Sequence, residues 1–94
     1  GIGSVKSNIG HLLRAAGMAS LHKVLLSLGH EQIPPTLHCQ EPNPRFDFTG
    51  SAFEPVTSLT PWLERDGIRR AGVSAFGFGG TNVHVILRGA RADE

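Results

Sequence analysis

Sulfur and phenol chemistry are nearly absent from this chain, which has one cysteine (Cys39), one methionine and no tyrosine. A single thiol excludes an internal disulfide, and it excludes the zinc sites built largely from cysteine. It fits a reducing compartment, so the cytoplasm is the expected location. Charge is also scarce. Lys and Arg number 9 against 8 Asp and Glu, for a formal net charge of +1 and a pI near 8.2. That balance leaves no basic footprint for nucleic acid, and Arg69-Arg70 reads as a solvated strand edge rather than a patch. No apolar run approaches the ~20 residues that span a bilayer. Gly1-Ile2-Gly3 has neither the basic region nor the apolar core of a secretory signal. No methionine opens the chain, so it is expected to be part of something longer.

What is present suits a packed structure. The hydrophobic fraction of 39% over 94 residues excludes a disordered polar tail and allows a modest core. Glycine is abundant at 12, and all 6 prolines fall between Pro34 and Pro61, which divides the chain into three parts.

In the first part, residues 2–5 lean towards strand and run into a polar Lys6-Ser7-Asn8 turn. The spacing predicts a helix over 11–29, capped at its start by Asn8 or Ser7 and at its end by a left-handed Gly29. Leu12, Leu13, Met18, Leu21, Val24, Leu25 and Leu28 cover most of its circumference, and only Ser20, Lys23 and Ser27 form a polar strip. Such a helix is expected to be buried on most sides, with Ala15-Ala16-Gly17 leaving room for another backbone. The second part, from His30 to Gly67, has turn signals and scattered apolar anchors (Ile33, Leu37, Phe46, Phe48, Phe53, Trp62). A connection that long is expected to lie over other structure. In the third part Ala71, Val73 and Ala75, then Val83, Val85 and Leu87, alternate with their neighbours. That pattern predicts two strands of a β-hairpin joined by Gly77–Thr81. Residues 89–94 read as a tail or linker.

Two constellations carry candidate chemistry. Lys6 and His11 flank a short loop, and the predicted helix would put His11 at the positive end of a macrodipole, where a neutral ring is favoured. A neutral imidazole donates one N–H to a developing oxyanion. Spacing alone favours instead a core histidine and a surface lysine. The turn Phe76-Gly77-Phe78-Gly79-Gly80-Thr81-Asn82 lacks the third glycine of a dinucleotide fingerprint and the lysine of a P-loop. Its glycines permit close approach of a ligand to backbone N–H groups, as in an oxyanion hole, although an ordinary hairpin loop has the same composition. His22, His30, His38 and His84 form no metal-ligand pair, and Cys39 has no basic neighbours to make it a thiolate.

Val5-Lys6-Ser7-Asn8-Ile9-Gly10-His11, the Ala-Ala-Gly helix, Ile33-Pro34-Pro35, Pro42-Asn43-Pro44 and Gly72-Val73-Ser74-Ala75-Phe76-Gly77-Phe78-Gly79-Gly80-Thr81-Asn82 together resemble the C-terminal part of a β-ketoacyl synthase. The likeness is to the ketosynthase domains of bacterial type I polyketide synthases, and it covers nearly the whole chain in order.

The resemblance implies an α/β fold, with residues 1–88 as the C-terminal fragment of a thiolase-like layered αβαβα architecture, incomplete as an independent domain. It implies decarboxylative Claisen condensation in polyketide or fatty-acid biosynthesis, with no directly bound cofactor. The extender arrives on the phosphopantetheine arm of an acyl carrier protein. Other expected partners are the remainder of the ketosynthase and a second copy in a homodimer, with no nucleic acid and no membrane.

By matched position, His11 is expected to stabilise the enolate oxygen and Lys6 to order the polar network. The backbone of Phe78, with Gly77 and Gly79, is expected to form the oxyanion hole and gate, and Phe76, Gly80 and Asn8 to line the substrate pocket. The family's nucleophilic cysteine and first histidine have no match here, and Leu13-Arg14 departs from the acidic residue many relatives carry. A non-elongating or chain-length-factor-like homologue and a non-catalytic interaction fragment are the alternatives.

Overall fold

The computed structural model describes residues 1–91 and 93–94; Ala92, within the expected 89–94 tail, lies outside the described residues. The elements in chain order are a one-turn helix α1 (Lys6–Ile9), a 3-10 turn (Leu13–Ala15), helix α2 (Ala16–His30), strands β1 (Gln32–Ile33) and β2 (Thr60–Pro61), and the longer strands β3 (Arg70–Phe76) and β4 (Asn82–Arg88).

Helix α2 begins later and ends later than the sequence pattern indicates. The polar turn at Lys6–Asn8 is itself the helical turn α1, and no side chain caps either helix. Leu13 sits at φ 52, a left-handed conformation that breaks the chain between His11 and α2. His11 is therefore not in the first turn of the long helix, the stretch over which a macrodipole acts. At the other end the left-handed residue is Glu31 (φ 56), not Gly29. The Glu31 N–H closes the helix on Ser27 and Leu28 carbonyls. Its carboxylate meets Arg69 at 3.1 Å, which favours placing this residue at the cap.

The helix packs on β3 at its small-residue start. A Cβ at Gly17 would stand 3.0 Å from Ala75 Cβ, so the close approach expected of Ala-Ala-Gly is present. Leu21, Val24 and Leu28 are half-buried, and another part of the apolar circumference is open in this chain, with Leu26 62% and Met18 57% exposed. Ser27 is the helix's buried residue, and its hydroxyl donates to the Lys23 carbonyl four residues back at 2.7 Å, so burial leaves no unpaired group.

Strands β3 and β4 pair antiparallel from Arg70↔Arg88 to Phe76↔Asn82, leaving residues 77–81 as the turn, as expected. Ala71, Val73 and Ala75 point to the less exposed face, and Val73 joins Ile68 as the buried apolar core. The proline-rich segment folds back as an edge. Ile2 bridges Pro55, Thr36 N–H donates to the Val56 carbonyl at 2.7 Å, and Gln32–Ile33 pairs with Thr60–Pro61. Phe46 and Phe48 stack edge-on at 4.6 Å between centroids.

Arg69 is not the solvated residue its sequence context indicates. It is paired with Glu31 and Glu64, and its Nε donates to the Trp62 carbonyl at 2.6 Å, joining the helix end, β2's exit and β3. No helix among the described residues is long and apolar enough to cross a membrane.

Candidate active site

The loop from Ser4 to Leu13 is shaped by its own side chains. Lys6 N–H donates to Ser4 Oγ at 3.2 Å, and the Ser7 hydroxyl donates to the Ser4 carbonyl at 3.0 Å. Leu37 N–H, from the proline-rich segment, donates to Ser7 Oγ at 3.2 Å. Gly10, at φ 76, lets the chain turn out of α1 towards His11.

The imidazole of His11 is held in one tautomer. Leu13 N–H donates to its Nδ1 at 2.9 Å. A ring nitrogen that accepts carries no proton, so the neutral ring has its N–H on Nε2. The bond that orients the ring also bends the backbone into the left-handed region at Leu13, a conformation costing about 1–2 kcal/mol in an L-residue.

A cleft of about 460 Å³ brings four of the expected site residues together, with Lys6 and His11 from the loop and Phe76 and Gly77 from the hairpin. Gly17 and Leu21 of α2 also line it. Asn8 does not. Its side chain is directed elsewhere, accepting from Lys23 Nζ at 3.0 Å, and it lines a second groove with Val5, Ile9 and Leu26 that shares no residue with the cleft.

The glycine-rich turn is built by the backbone. Gly77 N–H donates to the Thr81 carbonyl at 2.9 Å, and Gly80 N–H donates to the Gly77 carbonyl at 3.3 Å. A Cβ at position 77 would stand 2.8 Å from the Thr81 oxygen, so only glycine permits this approach. Gly79 and Gly80 lie at φ 86 and 88. The Gly77 N–H is thus committed to the turn and is not free for an oxyanion, contrary to expectation. The Phe78 N–H makes no hydrogen bond among the described residues. Phe78, Gly79 and Gly80 lie outside the cleft lining, and the Phe78 side chain is 98% exposed.

Sequence reasoning passed over Lys23, which reads as part of a polar strip. It also passed over the Leu13 and Thr81 main-chain groups, which carry no sequence signal. Burial holds the Lys23 ammonium below the ordinary lysine range. Of the remaining histidines, His84 stands opposite Ser74 across the hairpin, with Oγ and Nδ1 2.7 Å apart. Cys39 lines neither groove.

The cleft thus sets a histidine oriented through Nδ1 and a lysine beside a glycine-rich hairpin, on a piece of thiolase-like fold. Family comparison agrees: the chain belongs to the β-ketoacyl synthases. Residues 1–40 match the β-ketoacyl synthase C-terminal domain and residues 42–94 the ketoacyl-synthetase C-terminal extension. The chain is 53% identical over 92 residues to a phenolphthiocerol/phthiocerol polyketide synthase protein of Mycobacterium tuberculosis, covering 98% of this chain and 6% of that protein. It is 50% identical over 87 residues to the polyketide synthase PksN of Bacillus subtilis, covering 93% of this chain and 2% of that protein.

Among solved structures, it superposes on the ketosynthase from module 6 of the Bacillus subtilis bacillaene synthase with a TM-score of 0.93 and 47% identity, over 98% of this chain and 18% of that one. For the oxazolomycin ketosynthase domain OzmH KS7 of Streptomyces albus the TM-score is 0.89 at 47% identity, over 95% and 17%. The chain therefore has the fold of the C-terminal part of a ketosynthase domain and spans a small share of its relatives' length.

Proposed function

We propose that this chain supplies the enolate-stabilising wall of a ketosynthase that elongates polyketides by decarboxylative Claisen condensation. The observation that carries this reading is the orientation of His11. Its Nδ1 is occupied by the Leu13 N–H, it shares a cleft with Lys6, and the Nε2–H remains as the ring's donor. When a malonyl-type thioester loses CO₂, the electron pair of the broken C–C bond becomes an enolate, and its oxygen accepts from Nε2–H. The enolate carbon then attacks the carbonyl of an acyl thioester held on a cysteine elsewhere in the domain, and the thiolate leaves as the β-ketoacyl product forms. Among the described residues the Phe78 and Gly79 N–H groups of the turn make no hydrogen bond, and the Phe78 N–H is the donor assigned to the tetrahedral oxyanion.

In this reading the extender is carried by the phosphopantetheine arm of an acyl carrier protein. The open apolar faces of α2 are covered by the rest of the ketosynthase, which works as a homodimer in the cytoplasm.

The test uses the complete ketosynthase that contains this chain. His11→Ala is expected to lower extender decarboxylation and condensation by about 10²–10³-fold, the usual cost of removing one preorganised oxyanion donor. Self-acylation is expected to stay near wild type. Loss of acylation with decarboxylation retained would overturn the role given to His11.

A further inference from the structure

Lys23 is the one member of the α2 polar strip that reaches off the helix. Ser20 and Ser27 donate back to the carbonyls of Ala16 and Lys23 in their own helix. The Lys23 ammonium instead donates to Asn8 Oδ1 at 3.0 Å and to the Ser4 carbonyl at 3.4 Å, across 15 and 19 residues of sequence. A lysine on a helix surface ordinarily keeps its charged head in water or beside a carboxylate. Here, among the described residues, the ion pairs belong to Arg69 and Arg88, and Lys23 faces two neutral oxygens while partly withdrawn from solvent. A hydrogen bond from a cation to an amide oxygen is stronger than a neutral one, which offsets part of that desolvation.

The acceptors have a specific place. Asn8 lies between Lys6 and His11, and Ser4 opens the same loop. Among the described residues the loop's other hydrogen bonds are local except one, Leu37 N–H to Ser7 Oγ. The backbone carrying Lys6 and His11 is thus held from outside at two points, by Leu37 at Ser7 and by Lys23 at Asn8 and Ser4.

We propose that Lys23 is a positioning residue for condensation, fixing through Asn8 and Ser4 the loop that presents Lys6 and His11 to the cleft. It touches no reacting atom. The inference rests on the reading of His11 given above, and it assigns Lys23 and Asn8 a function in the same site that neither the cleft lining nor the motif order reveals.

The experiment compares Lys23→Met, Lys23→Arg, Asn8→Ala and the Lys23→Met/Asn8→Ala double variant in the complete ketosynthase, with His11→Ala alongside. Displacing a catalytic group by about 1 Å costs on the order of 10²-fold. Lys23→Met is therefore expected to lower condensation kcat about 10- to 100-fold, with self-acylation near wild type and the KM for the carrier-bound extender little changed. Lys23→Arg, which keeps the cation, is expected to restore most of the rate. Asn8→Ala is expected to fall with Lys23→Met, and the double variant to fall no further than Lys23→Met, because both singles remove the Lys23–Asn8 contact and Lys23→Met also removes the one to Ser4.

Equal losses of self-acylation and condensation in Lys23→Met would assign the lysine to general stability and overturn the proposal. So would losses that multiply in the double variant. If Lys23→Met does not fold, Asn8→Ala removes the same contact from the exposed side, and a wild-type condensation rate there overturns the proposal. A His11→Ala enzyme that still condenses overturns the reading of the site. An inactive His11→Ala enzyme beside an undisturbed Lys23→Met enzyme overturns only the role of Lys23.

Discussion

The two walls of the cleft are built by opposite means. The Lys6–His11 loop takes its shape from side chains: Ser4, Ser7, Asn8 and His11 each enter a hydrogen bond with a backbone group or with Lys23. The Phe76–Asn82 turn uses no side-chain hydrogen bond among the described residues. Two main-chain bonds and glycines at 77, 79 and 80 define it. The loop's geometry is therefore encoded in polar groups that can be exchanged singly, whereas the turn's geometry is encoded in the absence of side chains. The difference matches what each wall presents. The loop brings the side chains of Lys6 and His11 to the cleft, and the turn leaves the Phe78 and Gly79 amides without hydrogen bonds among the described residues.

This contrast can be broken most sharply at Gly77. Gly77→Ala puts a Cβ at 2.8 Å from the Thr81 carbonyl oxygen, a contact that cannot be relieved by rotating a side chain because the neighbour is backbone. The turn must open, and the Gly77–Thr81 hydrogen bond goes with it. Overpacking of this kind costs about 1–3 kcal/mol, to be read as a lowered denaturation midpoint of the complete ketosynthase, with condensation lost as Phe78 N–H moves. At Gly79 nothing lies within 4 Å of an added Cβ. A Gly77→Ala enzyme with wild-type stability would show that the turn tolerates side chains after all.

Phe78→Ala separates the backbone of the turn from its side chain. The ring is 98% exposed in this chain, so its removal takes away no packing within it. In the complete ketosynthase the expected outcome is altered acyl entry and substrate range, with a stability change of at most about a few kcal/mol. Wild-type acyl transfer and substrate range in that variant would remove Phe78 as a gate and leave the amide alone as the turn's contribution.

What the sequence made legible follows the same division. The hairpin was readable to within one residue because alternation at Ala71, Val73 and Ala75 reports directly on which face packs, and because glycines mark the turn by their identity. The start of α2 was not. The apolar pattern runs continuously through Leu12 and Leu13, and nothing in it shows that a His11 ring nitrogen captures the Leu13 amide and turns the backbone left-handed. The helix end was misplaced for a related reason. Gly29 has the identity of a cap, but Glu31 takes the left-handed position with its carboxylate on Arg69, 38 residues further along. In the site, the order of motifs groups Lys6, His11, Phe76 and Gly77, and these four line one cleft. It could not place Asn8, whose partner Lys23 looks like any solvated lysine until the fold brings it 3.0 Å from the amide.

The smallest expected effect lies at the far end of the hairpin from the turn, where a charge contact does hold the chain. Arg88 meets both carboxylate oxygens of Glu94, at 2.7 and 2.9 Å, and Arg91 N–H donates to one of them at 3.1 Å. The Arg88 hydrogen bonds, with the Arg91 amide, hold the Glu94 carboxyl below the usual carboxylate range. In the unfolded chain a glutamate titrates near about 4.3. The folded value is lower, so the contact's contribution is complete above the unfolded value and is lost as pH falls through the folded one. Both side chains are well exposed, at 52% and 40%, so screening keeps that contribution small. An NMR titration of the Glu94 carboxyl should show the depressed midpoint, and acidification or high salt should loosen this end while the amide signals of Gly77 and Gly80 stay unchanged. A Glu94 midpoint at the ordinary value would mean that both ends of the hairpin, and not only the turn, are held by backbone alone.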